Sequence, residues 1–355
     1  MPRIAKLIIG ITASLLGLAL FLGFSLAAVF TYYNSPPPFS PASVTEQEGP
    51  AEPIQSEMRF DVRRGESAQS VGQRLAEAGL IRSRHFWQLL CRFNKEHIKS
   101  GSYMIEVPAS QIAIHQLLVS GRQMLQRITI PEGLTLKKTA KLLEELNFCP
   151  AEEFLAAATD PEITGNYRIP GSTMEGYLYP DTYLFPPEYP AAKMIQVMAD
   201  TFFARIRDID EKTMNMAPEE LNRLIILASI IEREYRLKEE APVMAGVFLN
   251  RLNIGMALQS CATVEYVITE IQGRPHPEVL LTRDTEIRDP YNTYIRPGLP
   301  PGPICSPGAV ALEAALVPSK NDYLYFRLVD PDSGRHYFSG TLDEHIRAGR
   351  LYTKR

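Results

Sequence analysis

The longest apolar run in the chain comes first. From Leu7 to Asn34 there is no Asp, Glu, Lys or Arg, and most positions are Leu, Ile, Ala, Phe or Gly. A helix needs roughly 20 such residues to cross the hydrocarbon core of a bilayer, so the pattern predicts a membrane-spanning helix over residues 7–33. Ser35 to Pro53 is rich in Pro, Ser and Glu, with little to build a core from, and predicts a semi-extended tether over residues 34–56. The period then changes several times. Phe60-Asp61-Val62 alternates like a strand. Ser70 to Ala78 sets Val71, Leu75 and Ala78 at helical spacing and is closed by Gly79 at a C-cap position. Ser83 to Phe93 predicts a second helix around Trp87, the only tryptophan. A strand at Gly101–Ile105, a helix at Ile112–Val119 and a strand at Gln126–Ile130 complete a small module over residues 57–130.

Pro131-Glu132-Gly133 opens a larger domain, residues 131–355. Leu136–Leu146 and Ala151–Ala158 read as helices, the second with Glu152 and Glu153 in its first turn, where the helix dipole favours acids. Ile169 to Pro186 is dense in Gly, Pro and Tyr and has no clear period. Met194–Ile209 and Ala217–Tyr235 are long helices, and Pro242 starts another that ends near Gly255. A loop-rich stretch leads to a hairpin, Tyr323–Val329 with His336–Phe338, turning through Asp330–Gly334. A last helix, Leu342–Ala348, follows. The fold class is α+β.

Charge refines the first element. Arg3 and Lys6 precede the apolar run, which leaves residues 1–6 in the cytoplasm and exports the rest. A cleaved signal peptide with Ser25-Leu26-Ala27 as its processing site competes with this. The run is longer than the usual h-region of about 7–15 residues. The reading adopted is a single-pass anchor in the inner (cytoplasmic) membrane with an extracytoplasmic remainder. The formal net charge is −4, with acidic and basic residues interleaved. No block of like charge marks a nucleic-acid groove or a polybasic membrane patch, so no nucleic-acid partner is expected. The cysteines, Cys91, Cys149, Cys261 and Cys305, form no C-x-x-C pair, and no histidine stands at zinc-ligand spacing. No metal is therefore expected.

The candidate chemistry sits near the end of the Ala217–Tyr235 helix. Leu224, Leu227, Ala228, Ile231 and Tyr235 define a buried stripe, and Glu232 and Glu234 flank it on opposite shoulders. A partly desolvated carboxyl there has a raised pKa and can donate a proton near neutral pH. A glutamate in this position is usually solvated or salt-bridged, here to Arg236, and the helix alone does not choose between the two glutamates.

Neighbouring segments add to this. Ala228-Ser229-Ile230-Ile231-Glu232 is followed by Phe248-Leu249-Asn250-Arg251-Leu252, Leu258-Gln259-Ser260, Tyr291-Asn292-Thr293-Tyr294 and Gly298-Leu299-Pro300-Pro301-Gly302-Pro303-Ile304. Upstream stands Glu175-Gly176-Tyr177-Leu178-Tyr179-Pro180-Asp181-Thr182-Tyr183. In this order, behind one anchor and a small module, the segments resemble the endolytic murein transglycosylases of the YceG-like family over nearly the whole chain. The resemblance implies a LysM-like small module, though a spacer without ligand fits residues 57–130 as well. It implies a lysozyme-like catalytic domain over residues 131–355, with Glu232 as acid/base and no metal or organic cofactor. Gln259 and Asn292 are implied to meet sugar hydroxyls and N-acetyl groups, for which a donor-and-acceptor amide is suited. Tyr183 and Glu175 are further substrate-binding candidates, each with a bland alternative: packing for Tyr183, and capping of loop amides for Glu175.

The activity implied is cleavage of the MurNAc–GlcNAc bond in nascent peptidoglycan strands, leaving 1,6-anhydro-MurNAc ends and terminating elongation. Cell-wall synthases are the expected partners. The alternatives are a hydrolytic muramidase, which wants a second carboxylate across the cleft, and a non-catalytic glycan-binding scaffold of the wall-synthesis machinery. The family frequently has Asp where this chain has Cys261. Since Cys305 follows a segment placed near the same site in the family, a Cys261–Cys305 disulfide is a further expectation, chemically permitted outside the cytoplasm.

Overall fold

A computed structural model describes residues 2–37, 56–94 and 96–352, which fall into two compact units divided between Gln126 and Arg127. Most of the tether expected over residues 34–56 lies outside the described residues. The first helix, α1 (Pro2–Asn34), contains the apolar stretch Ser14–Asn34, long enough to cross a membrane, with a mean hydropathy of 2.1 and none of its best window buried. An N-terminal helix of this kind serves either as an anchor or as a signal sequence.

The rest of the first unit is built on one antiparallel pair, β1 (Ser56–Val62) with β2 (Gly101–Val107), in which Phe60 faces Tyr103 and Met58 faces Ile105. Three short helices complete it: α2 (Ala68–Glu77), α3 (Arg84–Phe93) and α4 (Gln111–Ser120). Each opens on a serine, Ser67, Ser83 or Ser110, whose hydroxyl accepts an otherwise unpaired first-turn amide. Trp87 is fully buried among Val71, Leu75, Tyr103 and Ile114, and its indole N–H donates to the Ala68 carbonyl at 2.9 Å. Gly72 lies under the ring: a Cβ there would stand 2.3 Å from Trp87 Cδ1.

The second unit is mainly helical. A small pair, β3 (Gln126–Thr129) with β4 (Thr182–Phe185), places a strand inside the Gly/Pro/Tyr segment that showed no period. Around the core run α5 (Leu136–Glu145), α6 (Ala151–Ala158), α7 (Pro161–Asn166), α8 (Ala191–Ile209), α9 (Pro218–Glu234) and α10 (Ala241–Asn253). The stretch after Gly255, expected to be loop-rich, also holds α11 (Cys261–Tyr266), which passes into a π-helical turn, and α12 (Ala309–Leu316). The hairpin forms as β5 (Tyr325–Asp330) with β6 (Arg335–Ser339), and α13 (Leu342–Tyr352) follows.

The centre of this unit is α9. Every residue from Ile225 to Ile231 is buried, so the helix is enclosed on all sides through this stretch and the predicted single stripe is only part of its buried surface. A helix apolar all round belongs in a core. Ser229 is the exception in this run. Its hydroxyl donates to the Ile226 carbonyl at 2.8 Å and accepts the Ile304 amide at 3.0 Å, which fixes the Pro-rich segment before α12 against α9.

Candidate active site

Both glutamates lie where α9 emerges from the core. Residues two apart on a helix point about 200° apart, so their carboxyls serve opposite sides of the unit. Glu232 accepts the Gly308 amide at 2.9 Å, the N-cap residue of α12. Glu234 turns the other way and accepts the Ser260 hydroxyl at 2.5 Å.

The Glu232 side is assembled from three segments. The Gly133 amide donates to the Ser306 carbonyl at 2.9 Å and the Ser306 amide to Leu134 at 2.8 Å, pinning the Pro131–Leu134 loop to the chain before α12. That contact brings in Glu132, whose carboxylate sits against Gly308: a Cβ there would stand 2.0 Å from its Oε1. A side chain at residue 308 would have to displace the Glu132 carboxylate. Burial pushes the Glu232 carboxyl up to about 7, the Gly308 N–H and the Arg233 cation pull it down, and the Glu132 charge adds to the rise. A carboxyl at that value can give up a proton and take one back at neutral pH. Tyr235 lies near both carboxylates, and burial followed by their charges raises its phenol well above the ordinary value. From Ala309 a groove of about 820 Å³ runs along α12, lined by Tyr179, Arg205, Lys238, Pro242 and Glu313.

The opposite side holds a cleft of about 600 Å³ that includes Glu234, Gln259, Cys261, Tyr294, Tyr325 and His336. Here the Leu258–Ser260 and Asn292–Tyr294 segments meet, since the Gln259 amide donates to the Thr293 carbonyl at 3.0 Å and the Ser260 amide to Thr293 Oγ1 at 3.1 Å. Burial raises the Glu234 carboxyl and the Ser260 hydroxyl lowers it.

The residues singled out in the sequence therefore separate. Glu232 is half-buried and faces Gly308. Gln259 is exposed, at a left-handed φ of 54°, and shares its cleft with Glu234. Asn292 is fully buried and uses its side chain within its own loop. Its Nδ2 donates to the Thr285 and Ile287 carbonyls at 2.9 and 2.8 Å, and its Oδ1 accepts the Tyr294 amide at 2.9 Å. Tyr183 is buried, stacks on Phe185 at 5.5 Å between centroids and donates to the Tyr179 carbonyl at 2.6 Å. Glu175 is buried and accepts the Leu136 amide at the start of α5 at 3.1 Å, the capping geometry rather than the cleft-lining one. Burial pushes its carboxyl up to about 8, against the Leu136 amide and with the help of Glu270.

The expected disulfide is absent. Cys305 is buried and its thiol donates to the Ser229 carbonyl at 3.3 Å, whereas exposed Cys261 contacts the Tyr294 hydroxyl at 3.0 Å. The two thiols are committed to opposite sides of α9. Asn250 and Arg251 brace the chain before β5, bonding the Asn321, Tyr323 and Leu324 carbonyls. His336 pairs with Glu240 at 2.7 Å. The residues the sequence did not point to are Glu132 and Gly308, in segments without helical or strand period.

A model of the YceG-like family matches residues 60–350 of this chain. The chain is 29% identical over 314 residues to the endolytic murein transglycosylase of Streptococcus pneumoniae strain R6, covering 80% of this chain and 56% of that protein. It therefore spans little more than half the length of that relative. The Bacillus subtilis strain 168 endolytic murein transglycosylase is 29% identical over 325 residues, covering 85% of this chain and 87% of that one. A crystal structure of a YceG-like protein from Listeria monocytogenes aligns with a TM-score of 0.54 and 30% identity, over 82% of this chain and 99% of that one.

Proposed function

This chain belongs to the YceG-like family, and on that premise we propose that it is an endolytic lytic transglycosylase of peptidoglycan whose general acid/base is Glu232. The observation that carries the reading is the Glu232 carboxyl itself: half-buried, held by one amide at the start of α12, and raised by burial to about 7. The curated relatives named endolytic murein transglycosylases support the substrate class.

Neutral Glu232 protonates the oxygen between MurNAc and GlcNAc as the bond to MurNAc C1 breaks. The 2-acetamido group of MurNAc stabilises the oxocarbenium-like centre, as in substrate-assisted glycosidases. Glu232, now a carboxylate and stabilised by the Gly308 N–H, removes the proton from the MurNAc C6 hydroxyl. That oxygen closes on C1, giving a 1,6-anhydro end and restoring neutral Glu232. Neither water nor a cofactor enters the balance. In this reading Glu175, Tyr183 and Asn292 hold the loops that shape the strand's path, and Gln259 lies away from the reacting bond, in the cleft of Glu234. Helix α1 acts as a retained single-pass anchor in the cytoplasmic membrane, with the chain that follows it outside. Residues 57–130 form a LysM-like module, and the products are shortened nascent strands made alongside their synthases.

A second reading has its own observation. Glu132 brings a second carboxylate to Gly308 beside Glu232, and a water-using muramidase employs two. Mass spectrometry of products from uncrosslinked strands separates the two. Anhydro-MurNAc ends are expected. Reducing MurNAc ends would assign hydrolysis, and intact strands would leave a glycan-binding scaffold.

A further inference from the structure

The C-terminal end of α1 does not leave the first unit freely. Phe30 meets Phe86 of α3 edge-on at 5.5 Å between centroids, and Tyr33 stacks on the same ring at 6.5 Å. The Arg82 guanidinium lies over Tyr32 at 4.7 Å and donates to the Pro36 carbonyl at 2.7 Å. Asn34 accepts the Ile112 amide of α4 at 3.0 Å. Residues 34–37, expected to begin a tether, are thus fastened to the unit by Arg82 and by the Ile112 amide of α4.

Phe86, Leu89 and Phe93 recur at i, i+3 and i+7, which makes one stripe on α3. Its first ring is the one that touches α1; its continuation is bare, with Leu89 51% and Phe93 79% exposed. The opposite face of the helix is occupied by Trp87, which is fully buried. Between Ala78 and Lys95 there is no Asp or Glu, whereas Arg82, Arg84, Arg92 and Lys95 are present. Arg84 and Arg92 are exposed and make no ion pair among the described residues. Arg92 flanks the stripe, whereas Arg84 stands on the far face of α3. An apolar stripe with an unpaired cation beside it, continuous with the exit of a membrane-length helix, has the make-up of an interfacial helix.

We propose that the Phe86–Leu89–Phe93 stripe of α3 rests on the surface of the bilayer that α1 enters, with Leu89 and Phe93 in the headgroup boundary and Arg92 on anionic phospholipid. This rests on α1 being a retained anchor. The first unit is then held against the membrane rather than lifted from it. Two features select lipid over a protein partner: the stripe begins at the anchor contact, and the helical residue flanking it, Arg92, is a cation.

The test uses the full chain in proteoliposomes containing anionic phospholipid, with tryptophan reporters and brominated lipid as quencher. Reporters are Phe93→Trp in the stripe, Leu22→Trp in α1 and Gln73→Trp on the exposed side of α2; buried Trp87 is a common background. We expect Leu22→Trp and Phe93→Trp to be quenched at least about twofold more than Gln73→Trp. Quenching of Phe93→Trp should fall to the control level when Leu89 is changed to Ser and Arg92 to Glu. Quenching of Leu22→Trp alone would overturn the proposal while leaving the anchor intact. Loss of quenching at Leu22 as well would remove the anchor and the proposal together. A Phe93→Trp reporter shielded from aqueous acrylamide but untouched by brominated lipid would give the stripe to a protein partner and overturn it too.

Discussion

Replacing Glu132 by Gln removes the charge beside Glu232 and keeps the side chain's shape. Both carboxylates abut Gly308, which bounds their separation at about 7 Å. Two unit charges that far apart interact by about 2.4 kcal/mol at an effective dielectric of 20 and about 0.6 kcal/mol at 80. Glu132 is exposed, so the lower part of that range applies, which corresponds to about half to one pH unit. Removing the charge lowers the Glu232 pKa from about 7 by that amount. A general acid must be protonated to act, so the loss of rate on the alkaline side moves to lower pH. Above both midpoints the variant should be about 3- to 10-fold slower than wild type, with little difference on the acid side. The assay is kcat/KM for release of fragments from uncrosslinked glycan strands between about pH 5 and 9, which reports free-enzyme ionisations. An exposed, isosteric change should leave the melting temperature nearly constant. An alkaline midpoint that stays in place, or moves up, would refute the coupling between these carboxylates.

Two further expectations concern buried groups. Glu175 has a folded-state value near 8, above its ordinary 4.5. Its contribution to stability is therefore fully present below about pH 4.5 and lost as pH rises toward 8. Glu175→Gln keeps an acceptor for the Leu136 amide and cannot ionise. Its melting temperature should gain on wild type steadily between these limits, and parallel curves would exclude the assignment. For the cysteines, Cys261 should alkylate in the native, unreduced protein and Cys305 only after unfolding, with no effect of reductant on the melting temperature. Protection of both until reduction would restore the disulfide.

Much of this fold can be read from the chain, because periodicity reports burial. The short helices of the first unit have apolar spacing and serine caps, and the long α8, α9 and α10 apolar spacing, that agree with their tertiary setting. Helix α12 is harder to see: in Gly308-Ala309-Val310-Ala311-Leu312-Glu313-Ala314-Ala315-Leu316 nearly every position is apolar, so no face stands out, and a short apolar run does not distinguish strand from helix. Missing α12 hides the Gly308 amide, and with it the reason Glu132 lies beside Glu232. The i, i+2 spacing of Glu232 and Glu234 does place them on opposite shoulders. It cannot say which shoulder receives the Leu258–Ser260 segment, since that depends on Ser260 and Thr293 meeting across 33 residues. The same limit applies to charge. Only the structure brings Arg82 over Tyr32 of α1 and sets Arg92 beside the exposed stripe of α3.

The central claim is that Glu232, rather than Glu234 in the cleft with Gln259, transfers the proton. The direct test is mass spectrometry of glycan products made by wild type, Glu232→Gln and Glu234→Gln under one condition, with folding checked by circular dichroism. We expect anhydro-MurNAc ends from wild type and from Glu234→Gln, and none from Glu232→Gln. Anhydro ends from Glu232→Gln and none from Glu234→Gln would move the acid/base to the other side of α9.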